Sequence, residues 1–393
     1  MNDRIILHCD LNNFFASVSL LSNPTVRDLP VAVCGSVEAR HGIVLAKNEI
    51  AKKYGVKTAE AIWEAKQKCP NLVTLAPDYK KYKEYSVAAQ EIYSRYTDLI
   101  EPFGIDECWL DVTGSTMLFG TGEQIANRIR KDIKCELGIT ISVGVSFNKV
   151  FAKLGSDMKK PDAITVINRE NYKQKVWNLP VSDLLFVGRS TAQKLNSSGI
   201  FKIGDITQCE DGMLSRLLGK NGIQLKQYAK GLDNSPVTPI SEDDAPKSIG
   251  RSITPPSDIT NNETVWKMYV GIAEEISATL HAKGLYATTI QVHTRDTSLN
   301  TKEYSRTLSS PINTSILIAR EGMKLFEESY GWGLPLRSVG LRVMNLKKDN
   351  VAVQQDIFGT DEANLWEEKI ENSILDVRKK FGDGSIKRGV SCE

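Results

Sequence analysis

Two adjacent carboxylates, Asp106 and Glu107, are the side chains of this sequence that most clearly indicate chemistry. They stand among apolar residues between Gly104 and Asp111, in a pattern typical of a hairpin strand. A regular strand sends neighbouring side chains to opposite faces, but Gly104 permits a bend that turns both toward one point. Because two negative charges side by side repel each other, a shared cation is expected, and Mg²⁺ takes oxygen ligands of this kind. The solvated tip of a surface hairpin remains the alternative for the pair alone.

A third carboxylate, Asp10, ends the apolar run from Ile5 to Cys9, as a buried strand would deliver it. Three acids on two strands can hold two metal ions roughly 4 Å apart, the arrangement that serves in-line phosphoryl transfer. Phosphoryl transfer is therefore the first hypothesis for the chain.

The composition limits the class of protein. The chain has 393 residues, enough for several domains, and its 41% hydrophobic and 25% charged residues are ordinary for a soluble globular protein. Its seven cysteines are scattered and form no Cys-x-x-Cys, which favours reduced cytoplasmic thiols over disulfides or a zinc site. The sequence shows neither an apolar run long enough for a membrane span nor a signal-peptide pattern. The net charge of +2 does not by itself indicate nucleic-acid binding, although Lys and Arg cluster locally.

Changes in composition divide the chain into segments. The first 166 residues alternate strand-like and helix-like patterns, and residues 167–234 show short helices broken by glycine. Prolines and acids then predict a linker at 235–246. A second region of strands and helices follows at 247–346, and the polar remainder, 347–393, includes an amphipathic stretch.

Several motifs, in this order, resemble the Y family, or translesion, DNA polymerases, most of all the bacterial group that contains DNA polymerase IV and the catalytic subunit of polymerase V. The resemblance covers essentially the whole chain. The motifs that carry it are Asp10-Leu11-Asn12-Asn13-Phe14-Phe15, Gly104-Ile105-Asp106-Glu107, Ser146-Phe147-Asn148-Lys149-Val150-Phe151-Ala152-Lys153 and Asp157-Met158-Lys159-Lys160-Pro161. The family's Ser-Ile-Asp-Glu has glycine in place of serine here, which leaves both carboxylates intact.

The resemblance implies a multidomain α/β (α+β) fold shaped as a right hand. It assigns the segments as follows: palm, 1–21 and 78–166; small fingers, 22–77; helical thumb with a helix-hairpin-helix, 167–234; linker, 235–246; little finger, 247–346; tail with a clamp-binding motif, 347–393. Small fingers inspect the nascent base pair loosely. The implied activity is therefore template-directed, low-fidelity DNA synthesis past damaged templates, in DNA repair and damage tolerance.

The resemblance also implies the roles of the acids. Asp10, Asp106 and Glu107 would bind two Mg²⁺ ions, or Mn²⁺ in their place, with the carbonyl of Leu11 as an additional ligand. One ion would lower the pKa of the primer 3′-hydroxyl, and the other would neutralise the leaving pyrophosphate. Phe15 occupies the position of the family's steric gate, an aromatic ring that would clash with a ribose 2′-hydroxyl and so select deoxynucleotides.

Three side chains are expected to contact the incoming nucleotide: Phe14, Lys52 and Lys160. Core packing is nevertheless the favoured role of Phe14. The finger segment departs from the family pattern, which carries Thr, Tyr and Arg where this sequence has Ala46, Glu49 and Lys52. Lysine offers positive charge without the bidentate fork of arginine, and a carboxylate cannot donate to a phosphate. Ile43 and Leu45 are expected to form a hydrophobic roof over the nascent base pair.

Contacts with the DNA backbone are expected from the palm, the thumb and the little finger: Lys149, Lys153, Gly188, Lys220, Arg251, Arg295, Arg306 and Arg342. The two palm lysines are spaced i, i+4 and share a helix face, which can meet phosphates or can be a solvated basic face. Gly188 lies in a pattern similar to a helix-hairpin-helix, whose usual first glycine is Phe186 here, and a plain packing unit is the alternative. The arginines stand on predicted strands and would follow the duplex backbone.

The tail contains Gln354-Gln355-Asp356-Ile357-Phe358, which resembles the motif that docks bacterial polymerases onto the sliding clamp. Gln354 would fill a polar pocket, and Ile357 and Phe358 a hydrophobic one, although a loose match of this length also occurs by chance. The expected partners are therefore primer–template DNA, deoxynucleoside triphosphates and the clamp. The chain is expected to be a cytoplasmic, nucleoid-associated monomer without a membrane partner.

Two other classes of protein can carry some of these features. One is a catalytically reduced DNA-binding repair accessory factor, and retention of the three acids and Phe15 argues against it. The other is a different palm-type nucleotidyltransferase, such as a cyclic-nucleotide synthase. That class needs no duplex clamp, so the region from 167 to 346 counts against it.

Overall fold

The computed structural model describes residues 3–36, 40, 42–239, 246–348, 360–382 and 385–386, with the side chains of 360–365 left out. The chain divides into two compact units. The first comprises Met1–Gly35 with Gly42–Ser241, and the second comprises Ser36–His41 with Glu242–Glu393. None of the described helices combines the length and the apolar character that a bilayer crossing requires.

The first unit contains a large and a small sheet with helices around them. Its elements are β1 (Ile6–Leu11), α1 (Phe14–Ser22), β2 (Val31–Cys34), β3 (Val44–Lys47), α2 (Glu49–Lys53), α3 (Ile62–Lys68), β4 (Val73–Leu75), α4 (Tyr79–Ser94), β5 (Ile100–Pro102), β6 (Glu107–Asp111), α5 (Thr116–Phe119), α6 (Gly122–Leu137), β7 (Ile141–Ser146), α7 (Lys149–Met158), β8 (Ile164–Ile167), α8 (Tyr172–Val176), α9 (Arg189–Ser197), α10 (Ile203–Gln208), α11 (Asp211–Leu218) and α12 (Lys220–Ala229).

The large sheet has the strand order β5-β6-β1-β7-β8, with β1 in the centre and antiparallel to both neighbours. All six residues of β1 are buried, as expected for a strand covered on both faces. Residues of α4 and α6 join one face of the strand in a common core, and α7 packs against β1 and β7. The predicted hairpin is confirmed, because β5 and β6 pair antiparallel.

Helix α7 approaches the sheet unusually closely because glycines leave room for it. A Cβ on Gly144 of β7 would lie 1.9 Å from the carbonyl oxygen of Ala152, and one on Gly155 would lie 3.1 Å from the Cα of Gly144. The helix begins at Asn148, whose side chain accepts a hydrogen bond from the amide of Phe151. This packing carries the side chains of one α7 face over the strands that bear the acids.

The small sheet has the order β3-β2-β4 and encloses its own core with α2 and α3. After β8 the chain forms the short helices α8 to α12 around a further core, which includes Phe151 of α7. These short helices lie within residues 167–234, where the sequence predicts short helices broken by glycine.

The first part of the predicted linker packs against the first unit. Val237 is buried with Ile6 and Trp109. The amide of Thr238 donates to Glu101 at 2.8 Å. One buried apolar residue is therefore enough to attach this proline-rich segment.

The second unit is a four-stranded antiparallel sheet with helices. Its elements are β9 (Ser248–Ile253), α13 (Asn262–Ala282), β10 (Leu285–Asp296), β11 (Thr301–Ile312), α14 (Ser315–Ser329), β12 (Leu336–Lys348) and α15 (Thr360–Phe381). The strand order is β11-β10-β12-β9, and α13 and α14 share the core with the sheet. Helix α15 is anchored by the buried Glu371, which accepts hydrogen bonds from Ser277 and Ser315 at 3.0 and 2.8 Å.

Candidate active site

A cavity of about 380 Å³ lies at the ends of β1 and β6 and beside β3. It brings together residues from distant parts of the sequence: Asp10, Leu11, Asn13, Phe14, Phe15, Leu45, Ala46, Lys47, Thr58, Ile105, Asp106, Glu107 and Lys160. All three predicted acids, Leu11, both phenylalanines and Lys160 are therefore at one site, as the sequence predicts.

The strand register explains how two of the acids meet. Asp10 of β1 lies directly opposite Glu107 of β6, so both side chains project from the same face of the sheet. Asp106 immediately precedes β6, and its carbonyl accepts a hydrogen bond from the amide of Leu11 at 3.0 Å. Because Asp106 lies before the strand begins, strand alternation does not force its side chain to the face opposite Glu107.

Gly104 opens a bend at residues 104–106 that precedes β6. Its backbone is not in the left-handed region, so other residues can adopt it. A Cβ at this position would lie 3.7 Å from Oδ1 of Asp106, an ordinary contact. The predicted bend is therefore present, but it does not depend on the conformational freedom of glycine.

Two lysines compensate the charge of the acids. Nζ of Lys153 lies 2.8 Å from Glu107 and 3.5 Å from Asp10. Nζ of Lys160 lies 2.8 Å from Asp10 and 2.9 Å from Asp157. These contacts show that the three acids form a site at which positive charge is favourable.

Asn12 helps to place Lys160. Its side-chain oxygen accepts a hydrogen bond from the amide of Asp162 at 2.8 Å, and its side-chain nitrogen donates to Ser142 at 2.9 Å. The segment after α7 is thereby tied to the end of β1. Sequence reasoning did not assign a role to Asn12, although its place in the first motif is a signal.

Lys149 and Lys153 do not form a solvated basic face, which corrects that alternative. Their side chains are only 12% and 15% exposed. Nζ of Lys149 lies 2.6 Å from Glu101 and 4.5 Å from the centre of the Trp109 ring. Both lysines are engaged by neighbours, so their predicted contact with phosphates stays a prediction.

The pKa values of the acids reflect burial and these cations. Burial raises the pKa of Asp10 to about 6, although the charge of Lys160 opposes the shift. Burial and the negative charge of Glu107 raise the pKa of Asp106. Burial also disfavours the charged form of Glu107, but hydrogen bonds from His8 and Lys153 outweigh it and hold this pKa at about 2.

The donor set fits a hard divalent cation in kind, since it consists of carboxylate oxygens. Across the described residues, no three or more His, Cys, Asp and Glu side chains already stand close enough to hold a metal ion. The lysine ammonium groups provide the positive charge in this arrangement.

The ring of Phe15 forms part of the cavity wall and is held by two tyrosines of α4. It stacks on Tyr82 and meets the ring of Tyr79 edge-on at 5.9 Å between centroids. Phe14 is buried in the core of the large sheet, in agreement with its favoured role. Sequence reasoning missed both tyrosines, although their i, i+3 spacing at the start of a helix is a signal.

Lys47, rather than Lys52, lines the cavity on the side of the small sheet. Its Nζ donates to Thr58 at 2.9 Å, and burial together with the nearby Lys52 lowers its pKa. Lys52 is half exposed and lies 3.5 Å from Glu49, which itself accepts a hydrogen bond from Asn13. Sequence reasoning missed Lys47, a lysine that ends an otherwise apolar strand.

The helical part of the first unit presents a second cavity, of about 600 Å³, beside the predicted helix-hairpin-helix. Gly188 precedes α9, and Lys220 opens α12 after Gly219. Phe186 lies on the cavity wall with a φ of +69°, and its side chain is 63% exposed. The position that usually holds glycine therefore keeps a left-handed backbone in spite of the aromatic side chain.

The arginines of the second unit do not share one face of its sheet. Arg342 lies opposite Gln291, and Arg295 shares that face through the two-residue alternation of β10. Arg251 and Arg306 lie on the other face, where they form ion pairs with Glu275 of α13 and Glu328 of α14. The expected contacts of these four arginines with the duplex backbone stay a prediction.

Comparison with known proteins agrees with these motifs. Two family models match: the impB/mucB/samB family over residues 9–157 and the impB/mucB/samB family C-terminal domain over residues 246–357. DNA polymerase IV of Acetivibrio thermocellus is 49% identical over 389 residues, which cover 98% of this chain and 97% of that protein. DNA polymerase IV 1 of Bacillus subtilis is 35% identical and covers 99% of this chain and 94% of its own length.

The chain belongs to the Y family of DNA polymerases. A solved structure agrees: a Y-family DNA polymerase chimera, Dbh-Dpo4(243-245)-Dbh, superposes with a TM-score of 0.79 at 25% identity, covering 88% of this chain and all of the chimera. The predicted family, its mixed α/β fold with separate sheets, and its activity as a translesion DNA-directed DNA polymerase are thereby confirmed. A polymerase of this family acts on DNA and deoxynucleoside triphosphates and implies a divalent metal.

The predicted clamp-binding motif, with Gln354, Ile357 and Phe358, lies outside the described residues.

Proposed function

We propose that this polymerase adds deoxynucleotides to a primer at the cavity that holds Asp10, Asp106 and Glu107. The observation that carries the assignment is the opposition of Asp10 and Glu107 across β1 and β6, with Asp106 on the wall of the same cavity. The three carboxylates, with the carbonyl of Leu11, would hold two Mg²⁺ ions, for which Mn²⁺ can substitute. Bound there, the ions would supply the positive charge that favours the primer 3′-alkoxide and the leaving pyrophosphate.

The chain's own residues prepare the site for that charge. Lys153 bridges Glu107 and Asp10, and Lys160 bridges Asp10 and Asp157, so the carboxylates stay placed when no ion is bound. The ammonium groups of both lysines would also attract phosphate oxygens. Lys160, on the cavity wall, would contact the triphosphate.

The nucleotide would lie between Phe15 and the small sheet. The Phe15 ring would exclude a ribose 2′-hydroxyl, while Lys47 and Thr58 offer polar groups for the triphosphate from the opposite wall. Lys52 lies farther out, beside Glu49, and would assist through its charge. Phe14 would support the site from the core.

The remaining assignments concern DNA and its partners. Residues 1–21 and 78–166 would act as palm, 22–77 as fingers, 167–234 as thumb and 247–346 as little finger. Backbone amides near Gly188 and the side chain of Lys220 would contact phosphates from the thumb, and Arg295 and Arg342 would do so from the little finger. The motif at Gln354, Ile357 and Phe358 would bind the sliding clamp. The enzyme would act as a monomer in the cytoplasm.

Primer extension on purified full-length protein tests the catalytic assignment. Asp106→Asn and Glu107→Gln should abolish nucleotide addition and leave duplex affinity nearly unchanged, because affinity comes mostly from phosphate contacts elsewhere. The matched control is Asp98→Asn, which removes the charge of an exposed aspartate that does not line the cavity. Activity within tenfold of the parent in either active-site variant would refute the assignment.

A further inference from the structure

A buried histidine lies behind the acid at the start of β6. His8 of β1 is fully buried, and its Nε2 lies 3.3 Å from Oε2 of Glu107. Within the described residues, both buried atoms, Nε2 of His8 and Oε2 of Glu107, lack a hydrogen bond of good geometry, and they face each other at this distance. A buried nitrogen facing a carboxylate at this distance is favourable only as an N–H donor, because two facing lone pairs would leave both atoms unsatisfied.

The other ring nitrogen is bound by a serine of α7. Nδ1 of His8 lies 2.8 Å from Oγ of Ser156, and the same oxygen lies 2.8 Å from the carbonyl oxygen of Lys153. The hydroxyl has one proton and can donate it to only one of these acceptors. The carbonyl of Lys153 lies within α7, where it also accepts the helical hydrogen bond. Because that carbonyl already has a donor and Nδ1 has none, donation of the hydroxyl proton to Nδ1 satisfies both acceptors.

The packing of α7 creates this contact. His8, Gly144 and Trp109 lie side by side on one face of the sheet, and the absence of a side chain at Gly144 lets α7 bring Ser156 down to the ring. The ring also meets Trp109 edge-on, with centroids 5.3 Å apart. His8 is therefore fixed in orientation by a strand neighbour and by a helix.

We propose that His8 is a positioning residue that holds the carboxylate of Glu107 in place through Nε2–H, and that Ser156 selects this tautomer by donating to Nδ1. The hydrogen-bond chain runs from Ser156 to His8 to Glu107. It fixes one carboxylate oxygen from behind and leaves the other face of the carboxylate to the cavity. This inference rests on the proposed role of Glu107 as a metal ligand.

The first test compares two buried serines. Ser156→Ala removes the donor to Nδ1, whereas Ser146→Ala removes a buried hydroxyl that donates to the carbonyl of Ile167 and has no link to Glu107. Ser156→Ala should lower kcat and raise the Mg²⁺ concentration for half-maximal rate by about tenfold, the usual effect of losing an outer partner of a metal ligand. Ser146→Ala should leave both near the parent values.

A binding measurement separates this effect from catalysis. Mn²⁺ bound to the full-length enzyme with DNA, a primer lacking its 3′-hydroxyl and a deoxynucleotide can be titrated by electron paramagnetic resonance. Ser156→Ala should bind Mn²⁺ about tenfold more weakly than Ser146→Ala, at similar thermal midpoints. Equal Mn²⁺ affinities and equal Mg²⁺ dependence in the two variants would overturn the proposal.

The second test uses the two amides that mimic one ring nitrogen each. Glutamine at position 8 can place its amide near the position of Nε2, whereas asparagine reaches only as far as Nδ1. His8→Gln should therefore retain more Mn²⁺ affinity and a higher kcat than His8→Asn, and equal losses would contradict the proposal. Loss of activity in Asp106→Asn reports on the proposed function separately, so failure of that function is distinguishable from failure of this inference.

Discussion

The ring of Phe15 lies flat against the ring of Tyr82, with centroids 4.2 Å apart and planes inclined by 10°. Tyr82 is itself buried, and its hydroxyl forms a 2.7 Å hydrogen bond with Ser19 of α1. A ring supported in this way cannot retreat easily from the cavity. The support from Tyr82, in addition to the aromatic ring itself, would suit Phe15 to exclude a 2′-hydroxyl.

Phe15→Ala should admit ribonucleotides. The ratio of kcat/KM for a deoxynucleotide to kcat/KM for the matching ribonucleotide should fall by roughly 100-fold, the order of discrimination that an apolar pocket reaches against an added hydroxyl. Tyr82→Leu removes the stacking support and should give a smaller loss in the same direction, whereas Tyr82→Phe keeps the ring and should stay near the parent. An unchanged ratio in Phe15→Ala would return this residue to a role in packing.

The sequence predicted where the acids lie, because their positions follow directly from local patterns. Asp10 lies near the end of a buried strand, and Asp106 and Glu107 lie where another begins, so predicting their neighbourhood needs little tertiary information. The partners of Lys149 and Lys153 depend instead on which side of α7 faces the sheet. Close packing at glycines sets that orientation, and a single sequence does not reveal it.

Strand register explains other differences between expectation and structure. Arg251 and Arg342 both stand on strands, but only pairing shows that Arg251 faces the helices. Likewise, Lys47 and Lys52 are close in sequence, and the fold of the small sheet decides which one enters the cavity. Propensity and motif spacing carry no information on either choice.

Phe186→Gly should stabilise the helical region that contains α9. A left-handed backbone costs an L-residue roughly 1–2 kcal/mol and costs glycine nothing, so a net gain of about 1 kcal/mol is expected after the loss of ring contacts with Tyr228. Phe201→Gly is the control, because Phe201 is also exposed but its φ is not positive. Urea titration of both variants measures the difference, and we expect destabilisation in the control only.

Arg342→Ala should weaken duplex binding more than Arg251→Ala. Arg342 of β12 lies opposite Gln291 of β10, on the face of the sheet away from the helices. Arg251 is paired with Glu275 on the face that the helices cover. Each lost phosphate contact lowers the slope of log Kd against log salt by about one. Fluorescence anisotropy across a salt series should show this change for Arg342→Ala alone, and equal slopes for both variants would count against the assignment.

Replacement of Ile357 and Phe358 by alanine should remove the stimulation of processivity by the sliding clamp. A short polar segment with few apolar anchors is expected to bind weakly, with a Kd on the order of micromolar, or about 8 kcal/mol. Two anchors should carry most of that free energy. Single-nucleotide insertion without the clamp serves as the internal control and should stay unchanged. Persistent clamp binding by the double variant, measured by titration, would place the contact elsewhere in the chain.

Leu45 and Ile43 should differ in their effect on lesion bypass. Leu45 lines the cavity beside Ala46, whereas Ile43 is 42% exposed and is absent from the cavity wall. Of the two residues, we therefore expect Leu45 to form the roof over the nascent base pair. Leu45→Ala should enlarge the space available to a bulky adduct and raise the rate of insertion opposite such templates, with little effect on an undamaged template.

Ile43→Ala provides the matched loss of an aliphatic side chain from the same segment, and it should leave the spectrum of bypassed adducts as in the parent. Primer extension over a series of templates with adducts of increasing size measures both, and equal spectra for the two variants would show that Leu45 does not limit adduct size.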